Sequence, residues 1–360
     1  MAYKDNNHPL DQEAASSAML QEEKSIGSKV SGFLLKYGMI IAILLLIAFF
    51  SRQTEYFFSL DNFLDILRAV SILVIVALGV TISLVVDGFD LSVGAVTGLA
   101  VILVTALMVI WQLEWYAAIL IVLASGAIVG LLNSFLIVKV HIPDLLATLA
   151  MLYLLSGFQM SITKGDSVYK GMTNPFSAER ASAIGEISPT FLKLGQGFIA
   201  KTESFRGIPI PVIVMAVIVI FLYFFLEYTR YGRMFYAVGG NREAARLAGI
   251  NVNRYRTYAY VISALLATIA GLVLASRIGS GAIKAGDPYL MDSVAAAFFG
   301  FAVLNARRPN VFGTFLGAIF VGLMLNGLTM MNMPWYLQDI VKGLVLITSL
   351  GLSFYLTRKN

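Results

Sequence analysis

Ten apolar runs, most of them about 20 residues long, constrain this chain more than any other feature, because a helix needs about that length to cross a bilayer core. They are Phe33–Phe50, Phe63–Val86, Leu91–Ile110, Trp115–Val138, Pro143–Ile162, Pro209–Leu226, Thr257–Ile278, Tyr289–Leu304, Val311–Met330 and Trp335–Tyr355. In hydrocarbon every backbone N–H and C=O must be satisfied within the segment, so runs of this length read as helices. The chain is 58% hydrophobic and 13% charged, against about 25% charged in a soluble domain. The expected fold class is all-α integral membrane, with about ten transmembrane helices in one domain over residues 33–357.

The charges lie between the runs and orient them. With the N-terminus inside, the inner connections hold Lys139, six arginines between residues 228 and 256, Arg307 and Arg308, and the end Arg358-Lys359. The short outer connections hold Arg52 and Lys284, each near acids. This is a positive-inside bias, and it accounts for the net charge of +5 without nucleic acid. Residues 1–32 then read as a cytosolic tail and 358–360 as a cytosolic end. The tail is polar, and no small-residue cleavage site follows the first run, so that run is expected to stay as a span. The outer connection at about 163–208 is rich in Gly, Ser, Thr and Pro, and reads either as a plain linker or as a small lid docked at the outer mouth.

The inner connection at about 228–256 is the most structured of the polar segments. Gly239-Gly240-Asn241 reads as a turn, Arg242–Ala248 as a short helix, and Gly249 as its C-cap. A short stiff helix between two spans is shaped to transmit a push.

Within the apolar part, Asp87-Gly88-Phe89-Asp90-Leu91-Ser92 is the most specific signal. A carboxylate at bilayer depth costs at least a few kcal/mol, and Gly88 permits a sharp break. Asp90 is placed to cap a helix starting at Leu91. Three roles stand open for this stretch: interfacial capping, a break lining a pathway, and a proton-coupled carboxylate. Asn133 and Asn326 also need partners inside apolar runs, as pathway hydrogen bonders or as interhelical glue. Small residues at Gly126-x3-Gly130, Gly313-x3-Gly317 and Gly322 read as packing seams or subunit contacts. Asp90–Gly98 loosely echoes Asp292–Gly300, five spans on, which is the spacing of inverted five-helix repeats.

The absences matter as well. Without cysteine and with two histidines, disulfides and thiolate or histidine-rich metal sites are excluded. No phosphate-binding loop, metalloprotease helix or nucleophile elbow occurs. An integral-membrane enzyme is disfavoured, and a buried charged pair for ion coupling has only Asp87 and Asp90 as candidates. A membrane bundle with an inner handle and no engine implies a separate motor.

Two stretches carry a resemblance. VDGFDLSVG, residues 86–94, is similar to the "gIDLSVG" segment of the permease subunits of bacterial ABC sugar importers of the ribose/xylose/galactose group. GGNREAARLAGINVN, residues 239–253, is similar to their cytosolic "GGN…AA..aGI.v" loop. The resemblance runs from about Leu60 to the C-terminus and departs at Phe299–Asn310, where turn glycines give way to bulky and basic residues. It implies a permease dimer, of two copies or two paralogues, with the helical fold of vitamin B12-type importers. It implies a cytosolic ATPase of two fused nucleotide-binding domains, which binds ATP and Mg so that this chain needs no cofactor. A periplasmic or lipoprotein solute-binding protein would deliver the sugar, and membrane lipid is the remaining partner. Arg242, Glu243, Ala244, Ala245 and Gly249 would form the coupling helix. Nucleosides, branched-chain amino acids and furanosyl signals are the alternative cargoes of that architecture.

Overall fold

The computed structural model describes residues 37–177, 182–203, 205–302 and 308–358. The expected tail at 1–32 and the end at 359–360 fall outside them, as does Arg307. A helix stands at each of the ten expected positions. These are α1 (Tyr37–Gln53), α2 (Leu60–Val85), α3 (Val93–Val109), α4 (Trp115–Ser134), α5 (Asp144–Thr163), α7 (Ile210–Tyr228), α10 (Val252–Ile278), α11 (Asp287–Ala302), α12 (Val311–Met330) and α13 (Trp335–Arg358). Six of them are long and apolar enough to cross a membrane by length and composition: α2, α4 with its extension to Lys139, α5, α7, α10 and α12. α1 and α3 are shorter apolar helices. The protein is therefore a mostly helical, multi-pass membrane protein.

α2, α3 and α10 form the centre, and α10 packs against α2, α3 and α4. α3 is buried on every side, from Val93 to Val109 apart from Leu103, which explains its lack of amphipathic pattern. α5 and α7 are peripheral and keep broad apolar faces exposed, as lipid-facing helices do. Trp111, Trp115 and Trp335 stand at helix ends, where interfacial aromatics belong.

The glycine seams lie within the chain. A Cβ on Gly126 would overlap the Thr268 side chain, and one on Gly130 would lie 2.6 Å from the Val261 Cα. Both are on the α4–α10 seam. A Cβ on Gly313 would overlap the Gly300 carbonyl, and one on Gly317 that of Ala296, on the α11–α12 seam. Gly322 abuts Val70 of α2. These glycines let backbones approach closely. Gly130→Val is expected to lower stability by about 2 kcal/mol, read as a lower unfolding temperature of the detergent-purified chain.

The connection between α5 and α7 is folded and packs on the bundle. It folds into α6 (Pro189–Gln196) and a two-stranded antiparallel ladder, β1 (Phe198–Ile199) with β2 (Ile208–Pro209). Arg68 of α2 donates to the Gly195 carbonyl at 2.8 and 3.2 Å, and Arg206 pairs with Asp65 at 3.1 Å. The Gly195 backbone sits against Ser276 and Arg277 of α10. Arg68 thus pairs with a carbonyl instead of reaching for headgroups.

Candidate functional site

The opposite end of α7 leads into two short helices, α8 (Arg230–Gly240) and α9 (Arg242–Leu247). The sequence predicts only the second. Gly239 and Gly240 form the last turn of α8 instead of a loop turn. The reason is packing: a Cβ on Gly239 would overlap the Val85 carbonyl oxygen at the end of α2. Thr229 caps α8 by accepting from the Gly232 N–H at 3.1 Å. Asn241 caps α9 by accepting from the Ala244 N–H at 3.0 Å, and Asn251 caps α10 in the same way. Gly249, at φ +80°, turns the chain between α9 and α10 as a C′ glycine does. α10 begins five residues before the expected span, at Val252.

α8 and α9 rest on the break between α2 and α3. Asp87 takes φ +56°, a left-handed value that aspartate tolerates. Gly88 serves close approach: a Cβ there would lie 2.6 Å from the Tyr260 hydroxyl. Arg242 of α9 pairs with the Asp87 carboxylate at 3.0 Å and donates to the Asp87 carbonyl. Two stretches more than 150 residues apart therefore form one contact.

The two aspartates have different surroundings. Asp87 is exposed and faces Arg242. Asp90 is 1% exposed. Its Oδ1 accepts from the Ser92 N–H at 2.9 Å and the Ser92 hydroxyl at 2.6 Å, and its Oδ2 from the Ser263 hydroxyl of α10 at 2.8 Å. α3 begins at Val93, two residues after the predicted start, and Ser92 is its N-cap residue. Asp90 therefore does not cap at Leu91; it ties the break to α10.

Helices α4, α5 and α11 also contact this break. Asn133 of α4 donates to the Ser92 hydroxyl at 2.9 Å. Thr148 of α5 accepts from the Leu91 N–H at 3.1 Å, while its own hydroxyl donates to the Asp144 carbonyl at 2.8 Å. The Phe89 ring lies 6.0 Å from that of Phe298 on α11. Asn326, by contrast, is on the far half of α12, next to Gly327, which packs on Phe50 of α1. It is not brought to the break.

Three groups were missed from sequence. Asp144, the first residue of α5, accepts from Arg256 and from the Tyr260 hydroxyl, each at 2.6 Å. Asp144 and Arg256 are largely buried, and such a pair loses about 3–5 kcal/mol when one partner is removed. Asp292 of α11 pairs with Lys342 of α13 at 3.2 Å. This corrects the expectation that only Asp87 and Asp90 offer a charged pair within the helices. Third, Leu247 at the tip of α9 is 88% exposed. Glu243, Ala244 and Gly249 are exposed around it, whereas Ala245 is buried and seats α9 on its own chain. The heptad-free sequence of α9 gave no sign of which face was free.

A second clamp steadies α8. Arg308 pairs with Glu227 at 3.0 Å and covers the Tyr236 ring at 4.2 Å, while the Tyr236 hydroxyl donates to Glu227 at 3.1 Å. Burial and the adjacent Glu227 carboxylate push the Tyr236 phenol well above its ordinary pKa, so it stays a donor at all working pH. Among the described residues no group of acids or histidines could hold a metal ion.

Residues 62–350 match the family described as branched-chain amino acid transport system / permease component. Ribose import permease protein RbsC of Haemophilus influenzae is 32% identical over 342 residues, covering 95% of this chain and 100% of that protein. Its Escherichia coli K12 counterpart is 33% identical over 315 residues, covering 88% and 92%. Xylose transport system permease protein XylH of Haemophilus influenzae is 30% identical over 351 residues, covering 86% and 94%. No solved structure matches the chain significantly. A bundle whose two marker stretches meet at one end, matched along nearly its whole length by transport permeases, belongs to that family of membrane permease components.

Proposed function

We propose that this chain is the membrane subunit of an ATP-driven, binding-protein-dependent importer, and that its cargo is a monosaccharide, a pentose or hexose. The names of the ribose and xylose relatives supply the cargo class. The observation that carries the mechanism is the seating of α8 and α9 on the α2–α3 break through Gly239 and Arg242.

In this reading the α8–α9 end is cytosolic, both termini with it, and ten helices cross the membrane in the vitamin B12-importer arrangement. α9 enters a groove of a separate ATPase, with Leu247, Ala244 and Glu243 on the docking face. A partner that closes on ATP moves α9. The push passes through the Arg242–Asp87 pair into the break and on to α3, α4, α5 and α10, which the Asp90, Asn133 and Thr148 bonds hold together. Alternating access follows if the two ATPase states favour two settings of this break, since only differential contacts shift such an equilibrium. Two permease chains form the pathway, and a binding protein meets the α6–β1–β2 end.

The test is uptake of labelled ribose and xylose by vesicles containing this chain, its ATPase and its binding protein. Uptake that requires ATP and both partners supports the reading. Uphill uptake by the chain alone under an ion gradient would falsify it. A sharper arm is Leu247→Glu. Because the side chain is exposed, folding is expected to be unchanged, within about 0.5 kcal/mol. Retention of the ATPase in co-purification is expected to fall about tenfold or more, the loss of a central apolar contact. Unchanged retention would remove α9 from the docking face.

A further inference from the structure

The α4–α10 seam opens at the α9 end into a groove of ≈ 680 Å³. Its wall toward the bundle's middle is apolar, formed by Ile128, Leu131 and Leu132 of α4 and by Phe135 just beyond it, all of them exposed on the bundle surface. Its outer rim carries Lys139 and Arg254 and no acid. Among the described residues neither cation pairs with a carboxylate; the Arg254 Nε donates to the Tyr258 hydroxyl at 2.6 Å. The comparable groove between α7 and α12 differs, because its Arg308 is neutralised by Glu227.

A second feature shapes the same place. α4 does not end as an α-helix; Phe135–Lys139 form a π-helical turn, closed by the Val140 N–H on the Phe135 carbonyl at 3.1 Å. Such turns carry an extra residue, weaken local helical packing and recur at functional sites. This one brings Phe135 to the apolar wall and Lys139 to the rim. The seam around it is otherwise tightly closed, by Gly126 and Gly130 against α10 and by Ser134 donating to the Thr257 hydroxyl at 2.7 Å.

We propose that this groove is a binding site for one anionic phospholipid. The headgroup phosphate lies between Lys139 and Arg254, and an acyl chain lies along Leu131, Ile128 and Phe135. The order of chemistry along the groove matches a lipid's own: two cations with no carboxylate partner at the membrane surface, then an apolar trough running to bilayer depth. Basic pockets between membrane helices recognise acidic headgroups in this way. A soluble anion would use the rim and leave the trough empty. A neutral lipid would use the trough and leave both cations without an anion. Occupancy has a structural consequence. Asn251, which caps α10 and ends the α9–α10 turn, lines the same groove, so a bound lipid steadies the hinge on which α9 rides.

The purified full chain is placed in phosphatidylcholine nanodiscs with and without phosphatidylglycerol. Unfolding temperature and lipid retained in native mass spectrometry are then measured. Phosphatidylglycerol is expected to raise the unfolding temperature by on the order of 3 °C, as a ligand bound only to the folded state does. One retained phosphatidylglycerol per chain is expected. K139Q/R254Q is expected to lose the shift and the retained lipid, and R230Q/R233Q, which removes the same charge from α8, is expected to keep both. The proposal is overturned if K139Q/R254Q behaves as the native chain. It is equally overturned if R230Q/R233Q loses the shift to the same extent, or if inorganic phosphate in phosphatidylcholine discs reproduces it. None of these readouts needs transport or the ATPase, so they stand apart from the importer reading.

Discussion

Gly239→Val is expected to abolish most transport, by about tenfold or more, while Gly240→Ala changes it by no more than about twofold. The two glycines are neighbours in sequence and both helical, yet their surroundings are opposite. A Cβ at Gly239 would overlap the Val85 carbonyl oxygen and lie 3.2 Å from the Asp87 N–H nitrogen. That obstacle is backbone at the end of a buried helix and cannot rotate away, so α8 must lift off. Lifting α8 carries Arg242 from Asp87 and breaks the pair that joins α9 to the break. At Gly240 nothing lies within 4 Å of a Cβ, and alanine favours the helix over glycine by about 1 kcal/mol. The assay is ATP-dependent uptake in reconstituted vesicles, with ATP hydrolysis followed in parallel. The expected signature is hydrolysis retained and transport lost, because α9 still presents Leu247 to the motor. Near-normal transport by Gly239→Val would show that force does not pass through the α8–α2 contact.

The contrast between these glycines also marks where the sequence stops being readable. The helices could be placed because hydropathy over about 20 residues is a local property, and the break was visible because two aspartates interrupt apolar runs. The partners of the carboxylates at and beside the break were not visible. Ser263 lies 173 residues from Asp90, and Arg256 lies 112 from Asp144. Which serine or arginine faces a given carboxylate depends on helix rotation and depth, and the small residues that set them read only as generic seams. In sequence Gly239-Gly240 reads as a turn because glycine permits one; the use of Gly239 here, to let α8 touch α2, leaves no local trace. The same holds for the charged pair. Asp292 and Lys342 sit in two apolar runs, and only the packing of α11 on α13 joins them. Asn326 and Asn133 share only residue type and an apolar setting, and their places in the bundle separate them.

Asp90→Ala is expected to lower stability by about 3 kcal/mol, since it strands three donors in a site closed to water. In membrane helices each such bond is worth about 0.6 kcal/mol on average and up to about 1.7, and the carboxylate here also faces the N-terminus of α3. Ser92 and Ser263 are fully buried, so neither can turn to solvent. Asp90→Asn separates the bonds from the charge. The amide keeps one acceptor oxygen, for the Ser92 N–H and hydroxyl, and turns its NH2 toward Ser263, whose hydroxyl can accept. It is therefore expected to cost about 1 kcal/mol and to retain most transport. Unfolding temperature in detergent reads the first effect and ATP-dependent uptake the second. A chain with Asp90→Asn that is as stable as the native one yet transports nothing would mean that the negative charge itself is used, as in proton coupling. Both variants losing stability and transport in step would mean that Asp90 acts as a tie, pinning the α2–α3 break to α10 so that a shift imposed at Asp87 by α9 reaches the centre of the bundle.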